Sequence, residues 1–226
     1  MARAWLVALA LLGAMGAGCS REAPAPPAAP EGPPALNAED QAVAFALARE
    51  SVAHFLAQGT APEPDFQRYP LTPGLKVKAG AFVTFYKRGE LRASMGRIGY
   101  PGMEYFLPPV YETVRRMAMD AAIKDPRFPP ITSDELPELR IEISLLSIAQ
   151  PIESVEEFHP GEHGLVVLKD ERTAVFLPQQ IVEQGWDRTE TLRKICEIAG
   201  LSPDEWREPG MTFHVFTAKV YQEPVQ

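Results

Sequence analysis

Ala81-Phe82-Val83-Thr84-Phe85-Tyr86, followed by Lys87-Arg88-Gly89-Glu90 and then Leu91-Arg92-Ala93-Ser94-Met95-Gly96, is the stretch that decides the fold. Two extended-type runs flank a polar turn that contains glycine, the pattern of a β-hairpin. A second hairpin follows downstream, with Leu165 to Leu168, a Lys169-Asp170-Glu171-Arg172 turn, and Thr173 to Leu177 ending at Pro178. Between the hairpins, Ile141, Ile143 and Leu145 alternate with Glu142 and Ser144, which predicts a strand with one buried side and one wet or edge-facing side. Met211 to Tyr221 reads as one long closing strand.

Helices fill the intervals. Asn37 with Asp40 three residues later resembles a capping box, and Phe45, Ala48, Val52, Phe55 and Leu56 share one face before Gly59 stops the helix. Val110, Val114, Met117, Ala118 and Ala121 recur at helical spacing up to about Lys124, beyond which Pro126 cannot continue the helix. Asp187 with Glu190 opens a third helix, with Leu192, Ile195, Cys196 and Ala199 inward and Gly200 as its stop, and Ser202-Pro203 marks a short turn through Trp206. Antiparallel hairpins with few crossovers exclude a doubly wound parallel sheet. The expectation is α+β: a mixed, largely antiparallel sheet with flanking helices.

Residues 1–36 differ in kind from the rest. Arg3, the apolar run Trp5 to Leu12 and the small residues Gly16-Ala17-Gly18 have the anatomy of a signal peptide over residues 1–18. The small residues lead into Cys19, resembling the lipobox that directs a diacylglycerol onto the cysteine, although Gly16 stands where leucine is usual and cleavage without lipidation is the alternative. Residues 19–36 then read as the lipidated cysteine and a tether rich in Pro and Ala, and residues 37–226 as the folded domain. The expectation is an exported protein on the periplasmic or surface face of a bacterial membrane, anchored through Cys19, with Ser20 permissive of outer-membrane sorting. About 190 residues remain to fold, enough to bury about 70% of the unfolded surface without a disulfide or metal staple.

Charge narrows the function classes. The chain carries −8, and loss of a leader whose one charged side chain is Arg3 takes the mature side chains to −9. With Lys and Arg scattered and no basic stripe, nucleic acid is not an expected partner. His159 and His163 have the spacing of paired helical metal ligands, but Pro160 and Gly161 forbid a regular helix and no third ligand is apparent, so neither a metal nor a cofactor is expected. Cys196 reads as a small core hydrophobe, and the Gln184-Gly185-Trp186-Asp187 stretch as a turn, an anchor and a cap.

Several segments in this order resemble the AMMECR domain family, whose prokaryotic members are called AmmeMemoRadiSam system protein A. They are Leu47-Ala48-Arg49-Glu50-Ser51, Gly80 to Thr84 leading into Gly89-Glu90-Leu91-Arg92, Asp125-Pro126-Arg127-Phe128-Pro129-Pro130, Glu135 to Leu139, Ile141 to Ser144, His163-Gly164-Leu165, Phe176-Leu177-Pro178, Gln184 to Asp187, and Ala199-Gly200-Leu201. The resemblance implies two subdomains around a cleft lined by a signature that usually reads L-R-G-C-I-G. Here that signature is Leu91-Arg92-Ala93-Ser94-Met95-Gly96, so the family cysteine is Ser94, and the stretch from Gly96 to Tyr111 looks longer than usual. Family members often work beside Memo-like and radical-SAM companions, from which export would separate this chain.

A thiolate is accessible near neutral pH, whereas a serine hydroxyl needs a positioned base. Cysteine-dependent chemistry therefore does not carry over. The candidate binding residues are Arg92, Ser94, Asp125 and Arg127: the guanidiniums could meet a carboxylate or phosphate, or serve as structural ion pairs. Ser94 is the one catalytic candidate, against the plainer reading of a small strand residue that permits close packing. The leading expectation is a binding or accessory module of undefined ligand. The competing one is an enzyme acting on a small anionic substrate, with Ser94 as hydroxyl donor or nucleophile.

Overall fold

The computed structural model describes residues Gly32–Pro224. The leader, Cys19 and the first part of the tether lie outside the described residues. The fold is α+β, built from two four-stranded antiparallel sheets where the sequence suggested a single one.

The first sheet has the order β2-β1-β3-β8, from Glu90–Arg97, Gly80–Lys87, Leu139–Leu146 and Ala218–Gln222. Its leading hairpin closes through Arg88 and Gly89, both at positive φ (55° and 87°), as a tight turn matched to strand twist requires. Alternation along β1 sends Ala81, Val83 and Phe85 to one face, where they are buried with Ile141, Ile143 and Leu145 of β3. Helices α1 (Ala38–Gln58) and α3 (Val110–Lys124) cover that face with Ala44, Leu47, Ala48, Val52, Val114, Met117, Ala118 and Ala121. The Asn37–Asp40 capping box is formed, and Gly59 ends α1 at φ 72°. Leu36 is buried and its N–H donates to the Tyr221 hydroxyl at 2.7 Å, so the ordered packing begins one residue before the cap.

The second sheet has the order β4-β7-β5-β6, from Gln150–Ile152, Thr212–Phe216, Gly164–Lys169 and Arg172–Phe176. Its core gathers Leu165, Val167, Ala174 and Val215 with Ile181 of α4 (Pro178–Gln184) and Leu192 and Ile195 of α5 (Arg188–Ile198). Cys196 is fully buried and free, and burial pushes its thiol above the ordinary range.

Three local readings are corrected. The predicted strand from Met211 to Tyr221 is two strands in different sheets, because the chain crosses between sheets at Thr217, where its N–H donates to Ser147 Oγ and its carbonyl accepts the Ser147 N–H, both at 3.0 Å. Pro178 does not merely end a hairpin. It opens α4 at a position where the missing N–H costs nothing. Glu142 and Ser144 are not on a wet side: they are 4% and 1% exposed, covered from the second sheet's side by α4. A third apolar cluster, centred on Leu146, Val166, Leu177 and Phe216 with Phe82 and Tyr100 against it, joins the two halves.

Candidate functional site

Ser94 lies in the middle of β2, an edge strand of the first sheet, so one row of its backbone groups has no strand to pair with. At Ser94 both outward groups are met by side chains from the segment that follows α3. Asp125 Oδ2 accepts the Ser94 N–H at 2.8 Å, and Arg127 Nη2 donates to the Ser94 carbonyl at 3.4 Å. The two side chains are also paired with each other, Arg127 Nε to Oδ1 at 2.9 Å and Nη2 to Oδ2 at 2.7 Å. Together they take the place of one residue of an extra strand.

Burial of Asp125 pushes its carboxyl up, but the Arg127 side chain and the Ser94 and Arg127 N–H groups outweigh that and hold it below the usual carboxylate range. A carboxylate so held is a weak proton acceptor.

Arg92, two residues earlier, is spent on structure. Its guanidinium grips Glu135 from Nε at 3.1 Å and Nη2 at 2.9 Å, and donates to the carbonyls of Pro129 and Pro130 at 2.9 and 3.2 Å. The Arg92 hydrogen bonds, with help from Thr132 N–H and Lys87, bring the Glu135 carboxyl down to about 2 against the opposing effect of burial. The segment from Asp125 to Glu135 is thus fastened to β2 at two points.

The Ser94 side chain turns away from the α1–α3 core, onto the opposite face of the sheet. There its Oγ shares a hydrogen bond with Thr84 Oγ1 at 2.8 Å, and both residues are buried. Strand register extends this pair into a row across all four strands: Ser94 beside Thr84, Thr84 beside Glu142, Glu142 beside Gln222. Gln179, in the first turn of α4, donates to Glu142 Oε1 at 3.2 Å and to Ser144 Oγ at 2.8 Å, and Gln222 Nε2 donates to Glu142 Oε2 at 3.1 Å. The Gln179 carbonyl oxygen is itself buried without a partner.

At the β3–β8 end of this row lies a pocket of about 230 Å³, lined by Tyr86, Gly89, Arg140, Glu142, Glu183 and Gln222 among others. Burial, reinforced by Glu142 and Glu183, raises the Tyr86 phenol to about 12, and burial followed by the Glu142 charge raises Glu183. Tyr86 therefore presents a protonated hydroxyl beside two carboxyl groups. Two larger hollows of about 520 Å³ each lie along α1 and beneath Pro62 to Phe66, and neither is lined by a signature residue.

Of the residues that sequence singled out, Ser94, Asp125 and Arg127 come together directly, and Arg92 joins them through the shared strand. None of the four lines the pocket. Tyr86, Glu142, Gln179 and Glu183 were not singled out, since Glu142 alternates with Ile141 and Ile143 as a solvent-facing residue would. Among the described residues no group of three His, Cys, Asp or Glu side chains could hold a metal ion, and no helix is long and apolar enough to cross a membrane. His159 and His163 meet each other locally, the His159 N–H donating to His163 Nδ1 at 3.3 Å.

The family model for AMMECR1 matches residues 45–221. The chain belongs to the AMMECR1 family. The AMMECR1 domain thus includes both sheets and all the residues of the Ser94 brace. A protein from Thermococcus gammatolerans is 38% identical over 184 residues, covering 78% of this chain and 87% of its own. Protein MK0488 of Methanopyrus kandleri is also 38% identical, over 197 residues, 83% of this chain and 90% of its own. The crystal structure of uncharacterized protein PH0010 from Pyrococcus horikoshii superposes with a TM-score of 0.72 at 31% identity, over 83% of this chain and 93% of that one.

Proposed function

We propose that this AMMECR1 domain is a binding module carried by an envelope lipoprotein, acylated at Cys19, and that its ligand sits against Tyr86, Glu142 and Glu183. The observation that carries the binding reading over a catalytic one is the partner of Ser94 Oγ. It is another hydroxyl, that of Thr84, and Asp125 is committed to the Ser94 backbone and to Arg127. A serine nucleophile needs a base within hydrogen-bond reach of its oxygen.

The pocket favours a small ligand rich in hydrogen-bond donors, such as an amine or guanidine. Glu142 and Glu183 line it and accept, and its one guanidinium, that of exposed Arg140, is turned to the Glu223 carbonyl at 3.4 Å, while Arg92 and Arg127 are matched by carboxylates elsewhere. Envelope placement rests on the leader and on Cys19 at its end.

Thermal shift with a panel of primary amines, polyamines and guanidines tests the ligand class. The reading expects at least one to raise Tm in a saturable way, with the shift lost in Glu142→Gln. Equal shifts in both proteins, or none with any compound, would overturn it. Mass spectrometry of the mature N-terminus tests the anchor: a diacylglycerol-modified Cys19 supports it, and an unmodified Cys19 or an intact leader contradicts it.

A further inference from the structure

Met103, Tyr105 and Phe106 are 53%, 80% and 70% exposed, a cluster of large apolar side chains within four residues of chain. Scattered apolar residues are ordinary on a protein surface, whereas a contiguous exposed group marks an interaction site. The loop is held in shape. Met103 N–H donates to the Tyr100 carbonyl and Phe106 N–H to the Met103 carbonyl, both at 3.0 Å, and Gly102 sits at φ 75°. Glu104 is turned back onto the Gly102 N–H at 3.1 Å, and the Tyr105 and Phe106 rings pack edge to face with centroids 5.8 Å apart. Lys78 stands beside them, its Nζ 4.4 Å from the Tyr105 ring centroid and 2.9 Å from the Tyr105 carbonyl oxygen. Exposed Lys76 and Val77 precede it.

We propose that this corner rests in the interfacial layer of a phospholipid membrane, with Met103, Tyr105 and Phe106 among the headgroups and Lys76 and Lys78 against anionic phosphates. The proposal rests on the anchored-lipoprotein reading. Aromatic rings and lysines divide the work in this way at membrane surfaces, the rings entering the headgroup layer and the ammonium groups staying in water.

Position and charge support one occupant. The tether joins the domain at the start of α1, and there Thr72 donates to Asp40, while a Cβ on Gly74 would lie 2.6 Å from Asp40 Oδ2. Helix α2 (Pro73–Lys76) therefore begins beside the tether's point of entry, and only Leu75 to Val77 separate Gly74 from Lys78. Twelve residues, Ser20 to Glu31, lie between Cys19 and the described domain, so the domain's entry point can stand no more than about 40 Å from the acylated residue. The chain as a whole carries −8, so attraction to an anionic surface has to come from local cationic groups such as the lysines that flank this tip.

The test uses the full-length protein carrying Tyr105→Trp, expressed so that it is processed, purified in detergent and reconstituted into phosphatidylethanolamine and phosphatidylglycerol vesicles with or without brominated acyl chains. Mass spectrometry of the same sample reports on Cys19. With the emission of Trp186 and Trp206 subtracted using the parent protein under the same conditions, the expected result is blue-shifted emission at least twofold quenched by the brominated lipid, lost when Phe106→Asp is added. An acylated Cys19 with emission unchanged by vesicles would overturn the loop proposal and leave the anchor standing. An unmodified Cys19 with a shift at high vesicle concentration would overturn the anchor and leave the loop's affinity standing. A shift that grows with protein concentration in the absence of vesicles would identify a second copy as the occupant and overturn the membrane assignment.

Discussion

The carboxylate of Asp125 accepts the backbone N–H of Ser94 at 2.8 Å, binding two family segments across 31 positions of sequence. With Arg127 it completes the edge of β2 at Ser94. The brace explains why an Asp-Pro-Arg triplet follows α3: Asp125 caps the helix in extended geometry, Pro126 stops it, and Arg127 closes the pair. Whatever stands at position 94 is held in place through its backbone, whichever side chain it carries.

Asp125→Ala is expected to destabilise the domain by about 1–3 kcal/mol, because it leaves the buried Ser94 N–H without its acceptor, while the half-exposed Arg127 guanidinium turns to water. Asp125→Asn, which retains one acceptor oxygen, should cost less. Urea unfolding of the three proteins checks the order, and an Asp125→Ala protein as stable as the parent would remove the brace from the account.

Acid should loosen the other fastening. The Glu135 carboxyl is depressed from 4.5 to about 2, so its contribution is fully present above about 4.5 and is lost as pH falls toward 2. Glu135→Gln should therefore be less stable than the parent at neutral pH and converge with it in acid. Urea midpoints measured between pH 2 and 6 give the comparison, and parallel curves would contradict it.

Gly96 closes the signature for a steric reason. A Cβ there would sit 2.2 Å from the Phe82 ring, on the neighbouring strand at the same register. Gly96→Ala should cost about 1–3 kcal/mol through overpacking, and Phe82→Leu in the same protein should recover part of it. Additive losses in the double variant would show that the two residues do not compete for the same space.

The polar pocket predicts a late-titrating tyrosine. Tyr86 is raised from 10.0 to about 12, so it favours the folded state below pH 10 and that contribution is lost as pH rises through about 12. Ultraviolet titration should show a phenolate transition near 12 that disappears in Tyr86→Phe and moves toward 10 in Glu142→Gln. An unmoved transition in Glu142→Gln would separate Tyr86 from that carboxylate.

Much of this architecture was legible in the residues, and the gaps have physical causes. Both hairpins, α1, α3 and α5 announce themselves through alternation, helical spacing and caps. The break at Thr217 does not, because Thr212 to Phe216 and Ala218 to Gln222 are both good strand sequence and the change of sheet is a tertiary event. Helix α4 was hidden by Pro178, which serves equally well after a strand or at the first position of a helix. At the site, resemblance brought Ser94, Asp125 and Arg127 into one group, but a side chain pairing with an edge-strand backbone leaves no periodicity to read. Glu142 alternates like a solvent-facing residue, and only the packing of α4 reveals that it is buried.

The most direct test of the central claim, that Ser94 is a braced, buried and unactivated hydroxyl, is labelling of the native protein with a serine-directed fluorophosphonate. Intact-mass and peptide analysis should find Ser94 unmodified under conditions that fully label a serine hydrolase. Stoichiometric adduct on Ser94, abolished by Ser94→Ala in a protein that still folds, would show an activated nucleophile and contradict the account.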